Sequence, residues 1–191
     1  MKSTVLSLVV VALVALTGCT PAGRVGPAHA DQVIDELIEA LQNPFWTTRQ
    51  DAVKALGEIR GATLKAIPAL ANALRDEDFR VREQAAVALG QIGSPAIPVL
   101  IEALRDEDAG VRANVAVALG KIGPDAQDAV SALIKALQDE NEDVRSAAAQ
   151  ALGQIGPDAQ DAVPALREAM QDEVVFVRRA AAEALEKIQG E

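Results

Sequence analysis

The chain carries an internal repeat of about 33 residues, and a column of arginines shows it most clearly. The intervals between successive members are 33, 30, 33 and 33 residues: Arg49, Arg82, Arg112, Arg145 and Arg178. A leucine column keeps the same register: Leu56, Leu89, Leu119, Leu152 and Leu185. A fixed period in this range is the signature of a solenoid, in which each repeat contacts only its neighbours. The sequence therefore predicts an elongated array of about five repeats.

Each repeat contains two apolar helical faces separated by a polar turn. In the second repeat, apolar residues recur at helical spacing from Ile67 to Leu74 and again from Val81 to Ile92. Asp78, in the turn, is predicted to cap the second helix. Prolines are predicted in the first turn of the first helix, where a missing amide hydrogen is tolerated: Pro68, Pro98 and Pro164. The predicted fold is all-α, an α-solenoid of about five helical hairpins.

The helix ends carry a further repeated pattern of small residues. In the second repeat Ala88-Leu89-Gly90 is followed by Ile92-Gly93, and the third and fourth repeats contain the same pattern. Gly93 is predicted to end its helix in a left-handed conformation, whereas Gly90 is predicted to allow close helix packing. Together with Val81-Arg82 and Ala85-Ala86, this pattern resembles HEAT repeats of the short type named after phycobilisome lyases. The resemblance covers about residues 32–189 and implies a scaffold fold that serves many functions.

The N-terminal segment resembles a bacterial lipoprotein signal peptide. Lys2 precedes an apolar run of about 12 residues, which is short for a membrane-spanning helix, and Leu16-Thr17-Gly18-Cys19 resembles a lipoprotein cleavage site. The resemblance implies cleavage before Cys19 and a lipid on its sulfur, with an ordinary signal peptide as the alternative. The predicted domains are a signal peptide over 1–18, the lipidated Cys19 with a flexible tether over 19–30, and the solenoid over 31–191.

The charge of the chain argues against nucleic acid as a partner. The sequence has 18 basic and 28 acidic side chains. Removing residues 1–18 takes away one Lys and no acidic residue, which makes the net charge more negative. Nucleic-acid binding needs a basic stripe that releases counterions, and the sequence has none. Its single His and single Cys leave no ligand set for a metal and no nucleophile–base pair. We therefore expect a non-catalytic protein without cofactors.

Aspartates recur six residues before four of the five arginines in the column, which suggests a structural role for both. Resemblance to other HEAT arrays implies a ladder of charge-assisted hydrogen bonds between neighbouring repeats, from Arg to Asp or to turn carbonyls. The alternative is a row of arginines that binds a polyanion. The predicted ladder comprises Asp76, Asp106, Asp139, Asp172, Arg82, Arg112, Arg145 and Arg178.

Two surfaces are predicted to bind a protein partner. The first is a low-charge patch on the second helices, which line the concave face in HEAT proteins: Gln84, Val87, Ala113, Asn114, Val117 and Ala147. The second is the hairpin-turn edge, where Trp46 and Phe79, together with Phe45, lie in neighbouring repeats of a chain with few aromatics. Their alternative role is to cover the exposed end of the first repeat, a role that Phe176 would share in the last.

These features predict a lipid-anchored protein–protein interaction scaffold in the bacterial cell envelope. The lipid on Cys19 would provide the membrane contact. Thr20 follows Cys19, and resemblance to Gram-negative lipoproteins then implies the outer membrane, facing the periplasm, if the host is Gram-negative. The sequence does not identify the protein partner. Two alternatives are a lyase-like or accessory protein that holds a small molecule on the concave face, and a structural envelope protein that associates with itself.

Overall fold

A computed structural model describes residues 27–59 and 63–190, and within them the chain is helical without β-strands. Short 3₁₀ segments, Ser94–Ala96, Gly123–Ala129 and Gly156–Ala162, precede the first helices of the last three hairpins. The α-helices are α1 Pro27–Ala40, α2 Trp46–Glu58, α3 Thr63–Ala73, α4 Phe79–Ile92, α5 Ile97–Ala103, α6 Ala109–Ile122, α7 Val130–Ala136, α8 Glu142–Ile155, α9 Val163–Ala169 and α10 Val175–Gln189. These pair into five successive helical hairpins, so the predicted all-α repeat fold is confirmed.

The described residues divide into two compact units between Leu89 and Gly90, and this division falls within α4. Both units have a core of aliphatic side chains, in which every member of the leucine column is buried. In the second unit, α8 packs against α6 on one side and α10 on the other. Alanines fill much of these contacts, because small side chains let helix axes approach closely.

Side-chain caps start several of the second helices. Asp108 accepts hydrogen bonds from the Gly110 and Val111 amides, and Asn141 accepts them from the two amides at the start of α8. The Arg80 amide donates to Oδ1 of Asp78 at 3.0 Å, as expected for the predicted cap. Each cap satisfies amides that have no partner within the helix, which fixes where the second helix begins.

Glycines with positive φ end the second helices of the second unit. Gly123 has φ 73° and Gly156 has φ 76°, a conformation that other residues rarely adopt. Their ψ is −140°. Gly93, the predicted left-handed cap, likewise has φ 83° and ψ −145°, so the prediction is correct in the sign of φ but not in ψ. The chain turns at these glycines directly into the 3₁₀ segment that leads to the next hairpin.

Pro68 lies inside α3 rather than in its first turn, which corrects the sequence prediction. The helix already starts at Thr63, because Ala66 is buried one turn before Leu70 and extends the apolar face upstream. Since proline has no amide hydrogen, the carbonyl four residues earlier lacks its usual helical partner. Pro98 and Pro164 lie in the first turn of their helices, as predicted.

The first helix also starts earlier than predicted. It begins at Pro27, so the last four residues of the predicted tether, 27–30, are helical. Proline suits the first position of a helix, and the alanines at 28 and 30 are strong helix formers. Cys19, the predicted signal peptide and the rest of the tether lie outside the described residues.

Candidate functional site

Three arginines of the repeated column bind an aspartate 27 residues later through a two-pronged contact. Arg49, Arg112 and Arg145 each donate from Nε and Nη2 to the two carboxylate oxygens of Asp76, Asp139 and Asp172, respectively, at 2.7–3.1 Å. All six side chains are largely buried. Paired parallel hydrogen bonds of this kind are stronger and more directional than a single contact. They connect the turn of one hairpin to the turn of the next.

The third guanidinium nitrogen, Nη1, binds the turn of its own hairpin. In Arg112, Nη1 donates to the carbonyl oxygens of Asp106 and Glu107 at 2.8 and 3.0 Å. Arg82, Arg145 and Arg178 make the same contacts, to the carbonyls of Asp76, Asp139 and Asp172, respectively, and of the residue after each. Asp106 also accepts the Asp108 amide through its side chain. The carbonyl contact is therefore repeated at every arginine of the predicted ladder.

Ion pairing lowers the pKa values of two ladder carboxylates, Asp139 and Asp172. Burial raises the pKa of Asp139, but hydrogen bonds from Arg112 and from the Asn141 amide outweigh it, so the pKa lies below its usual value. The pKa of Asp172 is lowered chiefly by its hydrogen bonds with Arg145. The hydrogen bonds to these carboxylates also raise the arginine pKa values. The pairs thus remain charged at neutral pH, which suits a structural contact.

Exposed aromatic side chains lie at the hairpin-turn edge of the first unit. Phe45 is 60% and Phe79 61% exposed, although large apolar side chains are usually inside a fold. The guanidinium carbon of Arg80 lies 3.4 Å from the centroid of the Trp46 ring, and two contacts with Asp78 hold it there. The same carbon lies 5.4 Å from the centroid of the Phe79 ring, so Arg80 joins Trp46 and Phe79. We call Phe45, Trp46, Phe79 and Arg80 the aromatic edge.

The predicted patch on the second helices is only partly exposed. Gln84 and Val87 belong to the first unit and are half-buried. In the second unit, Ala113 and Asn114 are half-buried and Val117 is 40% exposed, all on one face of α6. Ala147 is 7% exposed and does not belong to a surface patch. Asn114 occupies the same position in the preceding repeat and is half-buried, because its longer side chain reaches solvent. The methyl group of Ala147 is too short to do so.

A charged cleft of about 610 Å³ lies in the second unit, beside the ladder pair Arg112–Asp139. Its wall comes from α7, from Ile101 of α5 and from the turns that follow these two helices, and it includes Lys135 and Asp128. Charges of both signs line it, so it does not select for an anion or for a cation. The small-molecule alternative from the sequence places its ligand on the second helices, and this cleft lies elsewhere.

Within residues 27–59 and 63–190, no helix is long and apolar enough to cross a membrane. The same residues contain no group of three or more His, Cys, Asp and Glu side chains that could hold a metal ion.

Sequence reasoning missed the stacking of Arg80 on Trp46 and the exposed side chains of the last hairpin. Arg80 follows Phe79 directly, and Trp46 occupies the same repeat position as Phe79, so the repeat register contained a signal for their proximity. Val175 and Met170, in the last hairpin, are both exposed. For Met170 the signal was its repeat position, because the same position holds Leu104 and Leu137 in the two preceding hairpins, and both are buried.

Solved structures with similar folds include repeat scaffolds and proteins of enzyme systems. The complex of CpcE and CpcF of phycocyanin lyase from Nostoc sp. PCC7120 matches with 28% identity and a TM-score of 0.64, covering 91% of this chain and 68% of that chain. A designed armadillo repeat protein in complex with the peptide (KR)4 matches with 20% identity and a TM-score of 0.58, covering 98% and 92%. Human deoxyhypusine hydroxylase matches with 24% identity and a TM-score of 0.55, covering 84% and 75%. The last two likenesses show the fold alone.

Sequence comparison identifies the family. None of the curated proteins compared with the chain matches it. The family model for HEAT repeats matches residues 34–117 and 97–186, which together span nearly all the described helices. The phycocyanin lyase complex agrees with the short repeat type that the sequence resembles. With helical hairpins in a repeat register and an Arg–Asp contact that recurs within each unit, the chain belongs to the HEAT repeat family.

Proposed function

We propose that this chain is a non-catalytic protein–protein interaction scaffold of the bacterial cell envelope, anchored by a lipid on Cys19. The HEAT repeat fold supports the scaffold role, because stacked hairpins present long surfaces to a partner. The negative charge of the chain, −10 at neutral pH, opposes contact with nucleic acid or with anionic lipid headgroups. A protein partner therefore fits better than either.

The aromatic edge carries the proposal. Two phenylalanines that are more than half exposed flank a tryptophan and an arginine, and Trp and Arg are the residue types that dominate binding energy at protein interfaces. Arg80 is held in place by Asp78, so little side-chain freedom is lost when a partner binds. Aromatics make up only 2% of this chain, and three of them lie together here.

Replacing Phe45 and Phe79 with serine should reduce partner binding at least tenfold, because it removes the exposed apolar contact area. The fold should be unchanged, since both side chains are exposed. The measurement is crosslinking of the full chain in its native cells, identification of the dominant captured protein, and its binding affinity for the purified wild-type and variant chains.

Val117→Ser is the matched control, because Val117 is also an exposed apolar side chain, on the other predicted surface. Binding should survive this change. Loss of binding with Val117→Ser but not with the two phenylalanine changes would place the partner on the second helices instead. Capture of no protein other than the chain itself would contradict the scaffold role.

The lipid anchor has a direct chemical test. Cleavage before Cys19 makes Cys19–Arg24 the N-terminal tryptic peptide, and mass spectrometry of protein from native membranes should find it with the mass of a diacylglyceryl group on sulfur. Cys19→Ser should abolish that peptide. An N-terminus at another residue, or an unmodified Cys19, would contradict the anchor while leaving the scaffold role intact.

A further inference from the structure

The last hairpin leaves open a helix face that earlier hairpins cover. In α6 and in α8, a stripe of residues spaced four apart faces the following hairpin. The stripe is Arg112, Ala116 and Gly120 in α6, and Arg145, Ala149 and Gly153 in α8. The evidence for their direction is contact: the two arginines bind the next aspartate, and each glycine lies against an alanine of the next second helix. All six residues are buried or nearly so. The corresponding stripe of α10 is Arg178, Ala182 and Glu186.

Exposure confirms that this stripe of α10 faces solvent. Ala116 and Ala149 are fully buried, whereas Ala182 at the same position is partly exposed and Glu186 is exposed. Directly after the first helix of each of the last three hairpins, Leu104 and Leu137 are buried, whereas Met170 is 44% exposed. The last hairpin therefore presents the surface through which the earlier hairpins pack against their successors.

The stripe on α10 has opposite charges at its two ends and a small residue between them. In the described part of the chain, the hydrogen bonds of Arg178 involve Nη1 alone, so the Nε and Nη2 edge that binds a carboxylate in Arg145 is available. Glu186 lies eight residues later, and Ala182 lies midway. Such a pattern is complementary to its own copy running in the opposite direction.

We infer that α10 pairs antiparallel with α10 of a second copy of this chain, about a two-fold axis at Ala182. Arg178 of each copy then binds Glu186 of the other, and the two Ala182 side chains meet at the axis, where their small size lets the helices approach. The two-fold arrangement therefore contains two Arg178–Glu186 ion pairs, and its symmetry limits the assembly to two copies. The aromatic edge lies in the first unit and takes no part in this contact.

Glu186 also argues against the other way of covering this face, which is parallel stacking of one more hairpin. Parallel stacking brings the glycine position against the next helix: a Cβ on Gly153 would lie 2.8 Å from Cα of Ala184. Glu186 replaces that glycine, so a hairpin stacked in the same way would collide with its side chain. In the antiparallel pair the backbones approach at Ala182 instead, and Glu186 reaches past the crossing point.

A cysteine at position 182 tests the pairing, because two-fold symmetry brings it against its own copy. In the full chain with Cys19→Ser, Ala182→Cys is the only thiol. Mild oxidation should give a disulfide-linked dimer on a non-reducing gel, since a disulfide forms when the Cα atoms lie about 4.4–6.8 Å apart. Gln150→Cys in the same background is the matched control, because Gln150 is an exposed residue of α8 away from this stripe.

Adding Glu186→Arg to the Ala182→Cys chain should lower the dimer yield about tenfold. The reason is that each Arg178 then faces a like charge, which should weaken the affinity between the two copies by about a factor of ten. Glu168→Arg makes the same charge change on an exposed residue of α9 and should leave the yield unchanged. Circular dichroism verifies that each variant is folded, and Glu186→Gln provides a milder version of the change. A dimer yield no higher than with Gln150→Cys would overturn the pairing, as would a yield that neither change at Glu186 affects.

Discussion

Replacing Arg145 with alanine should lower the free energy of unfolding by about 3 kcal/mol, the low end of the range for breaking a buried ion pair, because both side chains keep 12% of their exposure. The change removes both hydrogen bonds to Asp172 and leaves that carboxylate buried without its countercharge. It also removes the Nη1 contacts with two turn carbonyls. Urea unfolding followed by circular dichroism measures the loss.

Arg179→Ala is the control, because its ion pair has the same length in a different setting. Nε of Arg179 lies 2.7 Å from Glu183, as Nε of Arg145 does from Asp172, but the Arg179 pair is 80% and 48% exposed, against 12% and 12% for Arg145–Asp172. An exposed pair contributes less than about 1 kcal/mol. Equal losses for the two variants would show that burial and the carbonyl contacts do not strengthen the ladder.

Acid should weaken the same contact. The pKa of Asp172 is lower in the folded protein than its ordinary value of 3.8, so the folded chain binds fewer protons than the unfolded chain at mildly acid pH. The stability from this group is complete above the ordinary pKa and is lost as pH falls through the lowered one. Unfolding free energies should therefore decline below about pH 5, and Asp172→Asn should flatten that decline.

Gly153→Val should lower the free energy of unfolding by about 2–4 kcal/mol, because it forces a side chain between two packed helices. A Cβ at this position would lie 2.8 Å from Cα and 3.1 Å from Cβ of Ala184 in α10. The nearest atom belongs to the backbone, so rotating a side chain cannot relieve the collision. Either α10 moves away from α8 or the last hairpin separates from its neighbour.

Gln150→Val controls for placing a β-branched residue in the same helix. Gln150 is exposed, and the change should lower stability by less than about 0.7 kcal/mol, the spread of helix propensity among ordinary residues. Thermal unfolding of both variants separates the steric effect from the propensity effect. A loss for Gly153→Val no larger than for Gln150→Val would contradict the close contact between α8 and α10.

The repeat register made much of the fold predictable, because one set of local rules applies five times. The helical hairpins and the cap at Asp78 followed from spacing and residue type. Ala147 was wrongly placed on the surface, since a position in the repeat does not specify exposure when side-chain length differs. The start of the first helix and the place of Pro68 depend on weak helix propensities, which set boundaries poorly. The Arg80–Trp46 stacking joins two hairpins through one side chain that the repeat pattern does not contain.

Arg112 and Arg145 each bind an aspartate 27 residues later, so the chain can gain a whole repeat without losing this contact. Residues 123–129 and 156–162 are identical, and the segments that they begin are 33 residues apart. Inserting one more 33-residue segment at this boundary would keep an aspartate 27 residues after Arg112 and after Arg145, and would place one 27 residues after the inserted arginine. Gene duplication can therefore lengthen this protein by whole hairpins, without requiring new side chains to hold the added one.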